Sequence, residues 1–154
     1  MTPMKKHSLL PALLLVLILS CGKDKFTTDP QVEVKSISPG TVFSGDVISM
    51  KGEYTDDEGD LDSVLVVYKW YNGVAVVRAD TFRYTFSRLN LPDKTRKAEI
   101  EINFEYNTNN NGNLVPLAGV SLRDTTASFG LVLKDKAAHR SNYSESDKIR
   151  LKKP

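Results

Sequence analysis

Residues 97–106 read KAEIEINFEY, and this stretch decides the fold class. Ala98, Ile100, Ile102, Phe104 and Tyr106 alternate with Lys97, Glu99, Glu101, Asn103 and Glu105. Side chains of an extended chain point to opposite faces in turn, so the pattern predicts a strand with one face in a core and the other in water. Outward from it, the apolar residues after position 30 keep a period of two almost throughout, and no window of eleven or more residues repeats them at helical spacing. The chain beyond residue 30 therefore reads as all-β.

Asn72-Gly73 lies between two apolar runs, residues 63–71 and 74–82. A two-residue type I′ turn needs positive φ at both central positions, which Asn and Gly supply, so a hairpin is expected. Its register would pair Tyr71 with Val74, Trp70 with Ala75, Lys69 with Val76, Tyr68 with Val77 and Val67 with Arg78. One face would then carry Val64, Val66, Tyr68, Trp70, Ala75, Val77 and Ala79, the expected core side. The other would carry Leu65, Val67, Lys69, Tyr71, Val74, Val76, Arg78 and Asp80. Further strands are expected over residues 32–37, 47–54, 82–89, 128–135 and 148–151. About seven or eight antiparallel strands with turn-rich connections suggest a two-sheet sandwich. Residues 107–113, Asn-rich throughout, read as a polar loop at a hairpin tip.

The chain has 154 residues, enough for one ordinary domain. Its N-terminus carries Lys5 and Lys6, an apolar run over residues 9–19 interrupted by Pro11, then Ser20 and Cys21. That is the layout of a signal peptide. A run of this length covers only about half of the roughly 30 Å hydrocarbon layer, so a spanning helix is not expected. The chain divides into a signal peptide at 1–20, a tether at 21–30 and a domain at 31–154. Lys and Arg total 21 against 19 Asp and Glu, and without the two leader lysines the charges balance. A neutral chain lacks the basic footprint of a nucleic-acid binder.

Ile18-Leu19-Ser20-Cys21 resembles the bacterial lipobox. The resemblance implies that Cys21 is diacylated, becomes the mature N-terminus on cleavage and is acylated again. Cys21 is the only cysteine, so it has no intramolecular disulfide partner, and lipidation accounts for a lone thiol in an exported chain. Several acyl chains would hold the protein on a membrane without spanning it. Lys23-Asp24 resembles the signal that sends Bacteroidota lipoproteins to the cell surface. Thr55-Asp56-Asp57-Glu58-Gly59-Asp60-Leu61 resembles the F-T-D-G-D-G-D-I turn of immunoglobulin-like domains in Bacteroidota lipoproteins. Residues 129–142, FGLVLKDKAAHRSN, look like that family's late strand and D-x-A-G-N-x-S-N turn, with Ala138 in place of the Gly and His139 in place of the Asn. The resemblance implies an immunoglobulin-like sandwich over most of residues 31–152.

Asp56, Asp57, Glu58, Asp60 and Asp62 crowd five carboxylates into seven residues with no base among them. Asp56, Glu58 and Asp60 alternate along a tight loop that Gly59 lets curl, and Asp62 is placed to complete a shell of hard oxygen ligands for Ca²⁺. A solvated acidic turn that binds nothing is the other reading. A glycosidase pair would need neighbours that push two carboxyl pKa values apart, and none stands nearby. His139 is the one histidine of the mature chain and reads as a surface residue. Asp62-Ser63-Val64 and Asp124-Thr125-Thr126 resemble Bacteroidota O-glycosylation motifs, and Asn142-Tyr143-Ser144 is formally an N-glycosylation triplet. Leu65, Val67, Tyr71, Val74 and Val76 would form an apolar stripe, either a partner surface or the bed of residues 114–120.

These readings converge on a lipid-anchored outer-membrane protein, facing the periplasm or the cell surface. Its β-sandwich is expected to act as a non-catalytic binding or structural module for a protein or glycan partner, with calcium as a candidate stabiliser. The alternatives are an accessory or assembly factor of a larger envelope complex, or a small hydrolase.

Overall fold

The structure is a computed structural model that describes residues 28–154 except 90, 91, 93, 121 and 122. The expected signal peptide, Cys21 and residues 22–27 of the expected tether lie outside the described residues. Ten strands follow in order: β1 (Gln31–Ser38), β2 (Thr41–Val42), β3 (Val47–Thr55), β4 (Leu61–Asn72), β5 (Ala75–Thr85), β6 (Lys97–Tyr106), β7 (Val115–Leu117), β8 (Thr125–Asp135), β9 (Ser144–Glu145) and β10 (Ile149–Leu151). One sheet has the order β1-β3-β6-β7 and the other β2-β10-β8-β4-β5, with β9 also on β8. The expected all-β character holds. The pairing is not wholly antiparallel, because β2 runs parallel to β10 and β7 parallel to β6.

The alternation of β6 builds the first sheet as expected. Ile100, Ile102, Phe104 and Tyr106 are buried, and across the ladder Ile48 faces Phe104 while Met50 faces Ile102. The second sheet supplies Val64, Val66, Phe129, Leu131 and Leu133 to the same core. Phe104 and Phe129 bring the sheets together, their ring centroids 5.0 Å apart. Each such side chain contributes about 1.5–3 kcal/mol by leaving water. The approach is close enough to require glycine at position 52, where a Cβ would lie 2.9 Å from the Glu33 carbonyl oxygen and 3.0 Å from Leu131 Cδ1.

The hairpin forms, but in a different register. Asn72 pairs with Ala75 and Tyr71 with Val76, so the turn centres on Gly73 and Val74, and Gly73 carries its positive φ of 61°. A turn with positive φ at its first central residue needs glycine there, which shifts the loop one residue along. A bulge beside Tyr71 then shifts the ladder again, so that Trp70 faces Arg78 and Val66 faces Phe82. The core face of β4 is as expected through Val64, Val66 and Tyr68, with Trp70 partly buried. On β5 the expectation is corrected: Ala75, Val77 and Ala79 are exposed, and Phe82 and Tyr84 turn inward instead. Residues 82–89 are not a separate strand. Phe82 belongs to β5, and Phe86–Leu89 forms a 3₁₀ turn.

Residues 114–120 do not cover the outer face of the hairpin. Val115–Leu117 pairs with β6, and Leu117 and Val120 enter the core. The outer face is covered instead by the segment after β8, where Tyr143 lies over Gly130 so closely that a Cβ there would be 2.3 Å from the ring. Among the described residues, no helix is long and apolar enough to cross a membrane.

Candidate functional site

The acidic loop between β3 and β4 folds back on itself at one end of the sandwich. The Asp56 N–H donates to the Arg96 carbonyl at 2.8 Å, and the Asp60 N–H donates to Asp56 Oδ2 at 2.9 Å. Gly59 has φ +64° and packs against the backbone of Lys94, where a Cβ would sit 2.7 Å from its carbonyl. Any other residue would be strained in conformation and blocked in space. The neighbouring wall is the end of β8, whose Asp135 pairs with Leu61 in the ladder while the Lys136 N–H donates to the Asp60 carbonyl at 3.1 Å.

Carboxylate oxygens of Glu58, Asp60 and Asp135 lie within 4.8 Å of one another. Asp135 is buried and accepts both the backbone N–H of His139 and its ring Nδ1, each at 2.8 Å. That pairing raises the His139 pKa above its ordinary value. Asp56 is 1% exposed, and burial pushes its carboxyl up, with the Asp60 N–H acting against it and the charges of Asp60 and Asp135 with it. Burial, then the charge of Asp56, pushes the Tyr54 hydroxyl up to about 12.

Of the four residues expected to form a cation shell, Glu58 and Asp60 come together and Asp56 is buried beside them. Asp62 points elsewhere, pairing with Arg83 at 2.8 Å. Asp135 joins the group from a distant strand, a juxtaposition no local spacing announces. Its place at a strand end in the D-x-A-x-x-x-S-N turn was the available signal.

The apolar stripe is divided. Tyr71 is buried beneath Lys148, whose Nζ stands 3.7 Å from the ring centroid, and its hydroxyl bonds Ser128 at 2.9 Å and Glu145 at 3.1 Å. Lys69 pairs with Glu145 at 2.9 Å and lies over the Tyr143 ring. Leu65 and Val67 are half-buried on the same face. At the hairpin end, by contrast, Val74 is 93%, Val76 50% and Val77 60% exposed. Trp70 lies under the Arg78 guanidinium, 4.8 Å from its ring, and Trp70 and Val77 line a shallow cavity of about 260 Å³ with Val120, Arg123 and Thr125, while Val76 pairs with Tyr71 across the ladder.

The modification motifs fare differently. Ser63 is fully buried, whereas Thr125 is half-buried with its hydroxyl donating to the Tyr71 carbonyl. The Asn142 side chain is engaged with Val32.

No family model and no curated protein matches the sequence. Among solved structures, the chain is similar to the alkylpurine DNA glycosylase AlkC of Pseudomonas fluorescens at a TM-score of 0.44 and 8% identity, over 78% of this chain and 30% of that one. A Niemann-Pick type C2 protein from Japanese carpenter ant gives 0.42 and 11%, covering 80% and 89%. The sporulation control protein Spo0M of Bacillus subtilis gives 0.35 and 10%, covering 82% and 49%. The chain thus spans less than half the length of the first and of the last. Such overlaps leave the chemistry to be read from the chain's own residues.

Proposed function

We propose that the chain is a lipid-anchored protein of the bacterial outer membrane, on its periplasmic or cell-surface face, whose immunoglobulin-like sandwich is a non-catalytic binding or structural module. The anchor reading rests on the lipobox-like run ending in the lone Cys21. The observation that carries the binding role is the hairpin end, where Val74, Val76 and Val77 stand in solvent. Solvated apolar side chains gathered at one tip suit an interface. The partner is an envelope protein, because valines offer sugar hydroxyls no hydrogen bond.

The test places a photocrosslinking residue at position 74 of the full chain in intact cells. A reproducible protein adduct is expected, lost when Val76→Lys and Val77→Lys are added without change in the melt. An adduct that survives both changes refutes the hairpin as the interface. Cys21→Ser should release the chain from the membrane fraction, and retention there overturns the anchor.

A further inference from the structure

We propose that Asp56, Glu58, Asp60 and Asp135 hold a divalent cation of the hard, oxygen-seeking class, Ca²⁺ foremost, which ties the β3–β4 loop to the end of β8. The inference needs neither the lipid anchor nor a partner. Three carboxylates from two separate segments converge, with oxygens of Glu58, Asp60 and Asp135 within 4.8 Å of one another. Oxygens gathered that closely fit inside a Ca²⁺ shell with bonds of about 2.3–2.6 Å, whereas Mg²⁺ dehydrates reluctantly and is seldom caged by protein carboxylates alone.

A second observation is independent of that grouping. Asp56 is 99% withdrawn from solvent, and its Oδ1 has no hydrogen-bond partner. Its other oxygen takes the Asp60 N–H, which sets the Asp56 carboxyl against the backbone of the group's middle residue. Asp60 Oδ1 is likewise buried and without a partner. Buried carboxylate oxygens are ordinarily satisfied, and leaving two beside further carboxylates is costly unless a cation joins them. Among the described residues, no Lys or Arg forms an ion pair with Asp56, Glu58 or Asp60. All the donors are carboxylate oxygens, which favours Ca²⁺ over zinc or copper.

Asp62 separates this site from a simple acidic turn. It lies two residues from Asp60, yet its carboxylate is taken by Arg83. A diffuse acidic patch would count Asp62 as much as Glu58, whereas the proposed shell excludes it and requires Asp135.

The test uses the full chain purified in detergent, stripped with EDTA and titrated with Ca²⁺ or Mg²⁺ at equal ionic strength. Ca²⁺ at about 100 times its dissociation constant should raise the melting temperature by about ten degrees, and Mg²⁺ by much less. Glu58→Gln and Asp135→Asn should each weaken calorimetric Ca²⁺ binding about tenfold or more, and Asp62→Asn by less than about twofold. Glu58 is exposed, so its variant keeps the wild-type melt in EDTA and stays informative even where Asp135→Asn unfolds the domain. Identical melts in EDTA, Mg²⁺ and Ca²⁺ overturn the site. Equal losses from Asp62→Asn and Glu58→Gln overturn the assignment of its ligands.

Discussion

The Asn142 side chain pairs with Val32 as a neighbouring strand would, donating its Nδ2–H to the Val32 carbonyl at 2.8 Å and accepting the Val32 N–H at Oδ1 at 2.9 Å. Two residues on, Ser144 Oγ accepts the Val34 N–H. The free edge of β1 is thereby sealed by side chains of the segment that joins the other sheet, where a bare edge would invite another strand. Asn142→Ala removes both bonds and is expected to destabilise the domain by about 1 kcal/mol. Asn142→Asp keeps the acceptor, loses the donor and should fall between, as read from urea midpoints.

Ala138 occupies φ +75°, a left-handed conformation that strains any residue with a Cβ. Ala138→Gly should stabilise the fold by about 1 kcal/mol, the penalty relieved less the added freedom of glycine in the unfolded chain. The measurement is a shift in denaturation midpoint at constant slope.

Phe104 is fully buried between Phe82 and Phe129, and Phe104→Ala should cost about 3–5 kcal/mol. Trp70→Ala should cost only about 1–2 kcal/mol, because its ring is partly exposed at the hairpin end beneath Arg78. Reversal of that order in paired melts would show that the hairpin bends inward in solution.

Glu105 lies on β6 but is buried, holding the following loop through the Thr108 hydroxyl and the N–H groups of Asn111 and Asn110. The Thr108 hydroxyl first, then the Asn111 N–H, lowers its pKa. Stability from this carboxylate is present above its unfolded pKa of about 4.3 and is lost as pH falls through the depressed folded value. The difference between wild type and Glu105→Gln should therefore be full at neutral pH and close in strong acid, as followed by melts across the range.

Strands built on alternation were legible. Residues 97–106 form β6 as read except at Glu105, which is buried under the following loop, because one side packs on a core and most of the other on water, so the period shows in a single strand. The hairpin of β4 and β5 was legible as a motif but not in register, since the turn centre sits one residue along and the bulge beside Tyr71 then reverses every β5 side chain that follows. The 3₁₀ turn after Thr85 was hidden for a related reason. Phe86 and Leu89 are apolar and pack on the core, so their composition looks the same in a strand. Asp135 and the arm bearing Tyr143 escaped because the groups they meet are far away in sequence, and nearness in space leaves no trace in local spacing.

The ends of the sandwich are unequal. β1 begins opposite Thr55, one residue from the acidic loop, whereas β4 carries the chain from that loop to the hairpin tip. Twelve residues of strand span roughly 40 Å. Were Cys21 held in a bilayer as proposed, the end bearing the carboxylates would be the one nearer the headgroups and the three valines would lie at the far end of β4. Divalent ions crowd against an anionic lipid surface, so the loop would work in the layer of water richest in them. The valines would meet whatever lies beyond it.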